Sequence, residues 1–312
     1  MNEKITIVSL NISEKIGTVK HSVDSVGLTL FGLAGDAHSG PWNRQVSLLG
    51  KESIEKFEKE TGRNIKFGEF AENITTQGME LWKVNPLDRF SNNEIEMEVT
   101  QIGKECHGTS CTIFKEVGKC VMPKEGIFCR VIKPGRLSPG MDLKYHPKIF
   151  KVLVITLSDR ASSGVYEDKS GPRIQQLTED YFSGNHLPLS VNSLLIPDDP
   201  DMLKALLLKA REESVDFIFT TGGTGIGPRD FTPEVIKSLL DKEIPGIMEM
   251  IRVKFATGKP ASLLSRSIAG TLGDSLVYAL PGSVNAVNEY MPEICKTLLH
   301  AKFMIHNIDF HG

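Results

Sequence analysis

The stretch Val215-Asp216-Phe217-Ile218-Phe219-Thr220-Thr221-Gly222-Gly223-Thr224-Gly225-Ile226-Gly227-Pro228-Arg229-Asp230-Phe231-Thr232-Pro233-Glu234 decides the fold of the second half of the chain. Val215–Thr221 is a β-branched and aromatic run suited to a strand covered on both faces. It ends directly in glycines, and Thr232-Pro233-Glu234 then predicts a helix start, with Thr as the cap and Pro at the first helical position. The rhythm repeats on both sides of this stretch. Val152–Leu157 reads as a buried strand, followed by a Ser- and Asp-rich turn and a helix near Pro172–Phe182. Ser193–Ile196 ends another strand, Asp199-Pro200 opens a helix running to about Glu213, and Ser275–Leu280 is a late strand. Strand and helix alternate throughout, which predicts a largely parallel sheet with helices on both faces. In such folds ligands bind outside the carboxyl ends of the strands.

Four strand ends carry candidate chemistry: Ser158-Asp159-Arg160-Ala161-Ser162-Ser163-Gly164, Pro197-Asp198-Asp199, the glycine block, and Leu280-Pro281-Gly282-Ser283. Glycines at 222, 223, 225 and 227 let backbone N–H groups approach an anion, with a helix N-terminus beyond them. The spacing matches neither of the common nucleotide fingerprints. An Asp beside a phosphate-cradling loop, here Asp230, suits Mg²⁺, which takes carboxylate and phosphate oxygens together. The neighbouring Arg229 can pair with phosphate. Of the acidic pair, Asp199 is read as a helix cap and Asp198 as the functional candidate, the alternative for Asp198 being a solvated turn. Ser265-Arg266-Ser267 offers a further anion contact or simply a surface arginine.

The first half has a different pattern. Short alternating runs at Lys4–Leu10, Gly27–Leu30, Gln45–Leu49, Ile95–Gln101 and Gly126–Ile132 read as strands. One amphipathic helix, about Lys51–Thr61, interrupts them with Ile54 and Phe57 inside. Many short strands with one helix suggest a barrel or a folded-over sheet. Turn formers at Pro134–Gly140 place the boundary near residue 148, giving domains 1–148 and 149–312. The 312 residues include 36 Lys+Arg and 39 Asp+Glu, a net charge of −3 that leaves no broad footprint for nucleic acid. No apolar run is long enough to cross a membrane, and Met1–Ile7 lacks a signal-peptide pattern. Four of the five cysteines (Cys106, Cys111, Cys120, Cys129) lie in the first half without the spacing of a disulfide framework, so a reduced, cytoplasmic setting is expected.

The order Thr-x-Gly-Gly-Thr-Gly, Arg-Asp-x-Thr-Pro-Glu, Leu-Ser-Arg, Leu-Pro-Gly-Ser resembles the MogA/MoaB family, which includes the G domain of gephyrin, from Lys151 to about Asn307. That resemblance implies a three-layer α/β/α domain, often trimeric. It also implies transfer of AMP from Mg-ATP to the terminal phosphate of molybdopterin, with release of pyrophosphate. By position, Asp198 and Asp230 match the family's two functional aspartates and hold Mg²⁺ or nucleotide. Gly222, Gly223, Thr224 and Gly225 match its phosphate loop, with Asp159, Arg229, Thr232, Ser265 and Arg266 as further cofactor-binding positions. Val284 stands where many members have proline.

In the first half, Gly35–Leu49, Phe67–Thr76, Gln101–His107 and Met122–Phe128 resemble the MOSC domain over about Ile5 to Asp142. Such domains are β-rich and bind or deliver molybdenum cofactor or its sulfur. Asp36, His38 and Arg44 are the candidate pocket residues, with Arg44 suited to a pterin phosphate or to a structural ion pair with Asp36. Asn43 replaces a common His, and Leu81–Phe90 departs from the usual pattern. Either Cys106 or Cys111 fits the family's functional cysteine, with Lys104 and His107 favouring a thiolate. Zinc is the competing reading, although the cysteine spacings lack close pairs. Together the resemblances imply a fused molybdenum-cofactor biosynthesis protein serving molybdenum-insertion proteins or molybdoenzymes. The alternative is a non-catalytic carrier of molybdopterin or the finished cofactor.

Overall fold

The computed structural model describes residues 4–16, 18–104 and 120–308. They form two compact units that divide between Lys148 and Ile149.

The first unit is a closed barrel. Its strands are β1 (Lys4–Ile12), β5 (Val46–Gly50), β6 (Ile74–Gln77), β7 (Arg89–Ser91), β8 (Glu96–Ile102), β9 (Ile127–Lys133) and β11 (Asp142–His146), in the ring order β11-β7-β8-β9-β5-β6-β1. Pairing of β1 with β11, Ile5 opposite Leu143, closes the ring and removes its edges. A short strand β2 (His21–Val23) extends from β1, and β3 (Val26–Thr29), β4 (Gly32–Leu33) and β10 (Gly135–Leu137) make a small separate sheet. Period-2 alternation fills the interior with Ile5, Ile7, Leu48, Ile74, Phe90, Met97, Val99, Ile127 and Cys129. β5 is buried on both faces because Leu48 points into the barrel while Leu49 packs outside with Ile54 and Phe57 of the helix Lys51–Thr61. The sequence reads Phe67–Thr76 as a polar loop, yet Ile74, Thr75 and Thr76 are buried in β6. Polar Thr side chains hide a strand whose neighbours, not its own composition, bury it.

The second unit is three layers. Its sheet runs β13-β12-β14-β17-β16-β15, comprising β12 (Phe150–Leu157), β13 (Leu189–Ile196), β14 (Phe217–Thr221), β15 (Lys242–Glu243), β16 (Ala269–Leu272) and β17 (Ser275–Leu280). The first four strands in that order are parallel, and β16 and β15 finish it antiparallel. One face packs Leu153, Ile155, Ile218 and Val277 on the helix Pro200–Glu212. The other turns Phe150, Phe217, Phe219 and Tyr278 the opposite way, and Phe182 of the helix Ser170–Gly184 meets Phe150 in a tilted contact and Phe217 edge-on, at 5.3 and 5.6 Å between centroids. The chain leaves β12 for β13 on one side and comes back to β14 on the other, so the order in which strands are added reverses between β12 and β14. That is the switch point, outside the carboxyl ends of the strands, where open α/β sheets form their ligand crevice.

One local expectation turns out differently. Thr232 is the first residue of the helix Thr232–Lys237, not its cap; Phe231 holds the cap position and makes no side-chain cap bond. The glycine loop accounts for this, because Thr232 N–H donates to Gly223 O at 3.1 Å and its hydroxyl packs beneath Gly223. Val284, in the family's proline position, opens the helix Val284–Ile305 behind the cap Ser283, a place that suits either residue.

Candidate functional site

The crevice is built from the turns after β12, β13 and β14. Ser158 caps the short helix Asp159–Ser162 by accepting from Ala161 N–H at 3.1 Å. The next residue ties two strand ends together: Asp159 N–H donates to Asp198 Oδ2 at 3.1 Å, and Asp198 N–H donates to Asp159 Oδ1 at 2.9 Å. Asp199 divides labour with its neighbour, capping the helix Pro200–Glu212 through Asp201 and Met202 N–H at 2.9 and 3.0 Å. Asp198 is thereby left to face the crevice residues. Partial burial, and then the charge of Asp230, push its carboxyl above the ordinary Asp range. The structure thus brings together two aspartates that stand 32 positions apart in sequence.

The glycine loop takes its shape from two constraints. Gly222 has φ +105°, and a Cβ there would lie 2.3 Å from Leu157 O. At Gly225 a Cβ would fall 2.7 Å from Asp230 Oδ2, so the carboxylate fills the space a side chain would need. Asp230 Oδ2 also accepts from Gly227 N–H at 2.8 Å, folding the loop around that carboxylate. Thr224 is buried within it.

Of the two arginines, Arg266 acts as a clamp. It donates from its backbone N–H to Thr224 O at 2.9 Å, from Nε to Gly225 O at 2.6 Å and from Nη2 to Asp230 O at 2.6 Å, and it pairs with Glu234. Those bonds make it a builder of the loop. Ser265 exchanges a 2.7 Å hydroxyl bond with Ser267 beside it. Arg229 reaches across the crevice to pair with Asp159. Among the described residues, Thr220 Oγ1 in β14 and Thr232 Oγ1 under the glycines are two of the several buried hydroxyls with no hydrogen-bond partner. In the sequence Thr220 is only the first residue of the Thr-x-Gly-Gly-Thr-Gly motif and is given no role of its own; its orphaned hydroxyl appears only when the neighbours are in place.

In the barrel unit, Asp36 is paired with Lys20, and both side chains are 1% exposed. Asp36 also accepts from Ser13 N–H and His38 N–H, each at 3.0 Å, while His38 Nδ1 lies 3.3 Å from Lys20 Nζ. Burial pushes the Asp36 carboxyl up, but the bonds from His38, Lys20 and Ser13 outweigh it and hold it well below the carboxylate range. Burial pushes Lys20 down. Glu72 is wholly buried near Lys20, accepting from Gly68 N–H at 2.6 Å and Thr75 Oγ1 at 2.9 Å, and burial pushes its carboxyl up. The sequence reading missed Lys20 and Glu72, for nothing in Gly17-Thr18-Val19-Lys20 marks a lysine bound for the interior. Arg44 is exposed at the start of β5. Cys106 and Cys111 lie outside the described residues. Cys129 is in the barrel core, where burial drives its thiol pKa far up. Among the described residues no group of three or more His, Cys, Asp or Glu side chains is placed to hold a metal. No helix among them is long and apolar enough to cross a membrane.

Residues 153–301 match the family described as "Probable molybdopterin binding domain", and residues 35–144 match the MOSC domain. The molybdopterin adenylyltransferase of Pyrococcus furiosus is 39% identical over 163 residues, which cover 50% of this chain and 92% of that one. The chain belongs to the MogA/MoaB family. Its first half is a MOSC domain. The molybdopterin adenylyltransferase of Helicobacter pylori strain J99 is 37% identical over 142 residues, 45% of this chain and 79% of its own. The crystal structure of the tungsten cofactor synthesizing protein MoaB from Pyrococcus furiosus, 37% identical, covers 52% of this chain and 99% of its own at a TM-score of 0.44. The MogA/MoaB unit is therefore a molybdenum-cofactor biosynthesis domain.

The raised Asp198 pKa has a consequence for stability. Between the ordinary Asp range and the raised value the folded chain binds more protons than the unfolded one, so stability falls as pH rises through that window. Asp198→Asn keeps an oxygen for Asp159 N–H and removes the charge. The variant is expected to melt above the parent at about pH 8, with the difference gone at about pH 3. A difference that does not change with pH in thermal melts would show that charge is not its cause.

Proposed function

We propose that the MogA/MoaB unit adenylylates molybdopterin. The terminal phosphate of molybdopterin attacks the α-phosphorus of ATP; one P–O bond forms, the bond to the β-phosphate oxygen breaks, and pyrophosphate leaves. The observation that carries this reading is the placement of Asp198 beside Asp230 at the glycine loop, where the strand order reverses. A phosphate nucleophile is already ionised near neutral pH, so the site needs no strong base. Alignment and charge neutralisation carry the reaction.

Asp198 and Asp230 would hold a hard divalent ion, because burial and then the Asp230 charge push the Asp198 carboxyl up, a cation there would relieve that repulsion, and Mg²⁺ takes carboxylate and phosphate oxygens together. Mg²⁺ bound there would neutralise charge on the phosphates of ATP. The Gly222, Gly223, Thr224 and Gly225 segment receives phosphate oxygens, and the buried Thr232 hydroxyl has a donor to spare for one. Arg229, paired with Asp159, would exchange that partner for phosphate. Ser265 and Arg266 hold the loop in shape.

The MOSC unit, in this reading, binds molybdopterin or the finished cofactor, or carries its sulfur on Cys106 or Cys111. Support comes from the cluster of Lys20, Asp36 and His38, which fixes a charged, preorganised wall in the barrel. Arg44 would face the pterin phosphate. Assembly as a homotrimer through the MogA/MoaB unit, in the cytoplasm, and delivery to molybdenum-insertion proteins or molybdoenzymes complete the proposal. A carrier role without catalysis is the rival, and it predicts binding without turnover.

Three measurements test this. Parent protein should release pyrophosphate from Mg-ATP plus molybdopterin, and Asp230→Asn should lower the rate about 100-fold or more while melting normally. Undiminished turnover in that variant sinks the assignment, and binding without any pyrophosphate favours the carrier. In full-length protein, Cys106→Ser or Cys111→Ser should reduce cofactor retention; unchanged retention in both removes the cysteine role. Light scattering should give three chain masses, and a monomer at working concentration removes the trimer.

A further inference from the structure

The segment between β12 and the helix Ser170–Gly184 holds an aromatic ring in a fixed place. It is anchored at both ends. At one end Asp159 bonds reciprocally with Asp198, and at the other Asp168 Oδ2 accepts from Thr156 Oγ1 at 2.7 Å. Gly164, at φ +77°, turns the chain back so that Val165 N–H donates to Arg160 O at 2.8 Å. The turn closes when the Tyr166 hydroxyl meets Ser158 Oγ at 2.9 Å. The Arg160 guanidinium lies over the Tyr166 ring at 5.1 Å.

Tyr166 is nevertheless 46% exposed, and Val165 beside it is 68% exposed. An aromatic ring oriented by a hydroxyl bond and a stacked guanidinium, yet left nearly half in water, has been ordered with less burial than usually accompanies ordering. Its loop is the one that carries Asp159, which touches both Asp198 and Arg229.

We infer that Tyr166, backed by Arg160, is the platform on which the flat nitrogen heterocycle of a substrate stacks. The inference rests on the adenylyltransfer reading, whose two substrates each carry such a ring, the purine of ATP and the pterin of molybdopterin. The loop would grip the ring while the glycine turn grips phosphate, so that the substrate is held at two points and its reacting group aligned. Tyrosine suits this task because its ring is already immobilised and gives stacking area at little further entropy.

The test uses full-length parent, Tyr166→Ala and Tyr166→Phe, with binding measured by calorimetry for Mg-ATP, for free pterin and for inorganic tripolyphosphate with Mg²⁺. Tyr166→Ala should weaken binding of the stacked ligand about 10-fold, ATP or pterin according to which ring it carries. Tripolyphosphate, which has no ring, should bind as to the parent, and Tyr166→Phe should stay within about 3-fold of the parent for all three. The inference is overturned if Tyr166→Ala leaves both ring ligands unchanged, or weakens tripolyphosphate as much as ATP, since that would mark a merely structural role. A parent that binds pterin but not ATP defeats adenylyl transfer, and the pterin arm still decides Tyr166. A parent that binds neither ring overturns both.

Discussion

The parallel pairing of β12 with β14, Val152 beside Phe217 through Thr156 beside Thr221, is the constraint on which the MogA/MoaB unit depends. Because β13 lies on the far side of β12, the turns after β12 and β14 diverge to opposite faces and leave a crevice between them. Each bond across the crevice follows from that placement. Asp159 can reach Arg229 only because their strands are neighbours, and Asp198 enters because β13 pairs with β12 along its full length. The aromatic packing of Phe150, Phe182 and Phe217 beneath the sheet supplies rigidity, so that the turns inherit a fixed base.

Within the crevice, attraction and repulsion are arranged unevenly. Asp159 is neutralised by Arg229, Glu234 by Arg266, and Asp198 is left beside Asp230 with its carboxyl raised. A like-charge pair at the end of a sheet is an unfavourable feature for a bare protein. It becomes favourable when a cation or a cation-bearing phosphate arrives, which is why the proposed chemistry settles on those two residues. The arginines contribute shape as much as charge, since three carbonyl oxygens of the glycine turn are fixed by Arg266 alone.

The MOSC barrel makes a different use of charge. Lys20 and Asp36 are buried together with His38 beside them, and Glu72 is sealed nearby. Removing one partner of such a pair would leave a charge stranded in low dielectric, at a cost of roughly 3–5 kcal/mol. The apolar interior of the barrel does not need these groups for closure, because β1 and β11 already complete the ring.

Much of this was legible from the residues in order. Val152–Leu157, Ser275–Leu280 and Lys51–Thr61 announce themselves by continuous apolar runs or by a period of 3.6, and Asp199-Pro200 carries its own cap chemistry. Those signals are local, so the sequence alone determined the alternation of strand and helix, the glycine turn and the choice of Asp199 over Asp198 as cap. The tertiary structure alone decided which groups meet: Lys20 with Asp36, Arg229 with Asp159, Arg266 with the carbonyls of the turn, and Thr75 and Thr76 in a buried strand. The physical reason is that a backbone preference is set by neighbours in the chain, whereas the partner of a charge or the burial of a hydroxyl is set by strands that arrive from far away in it.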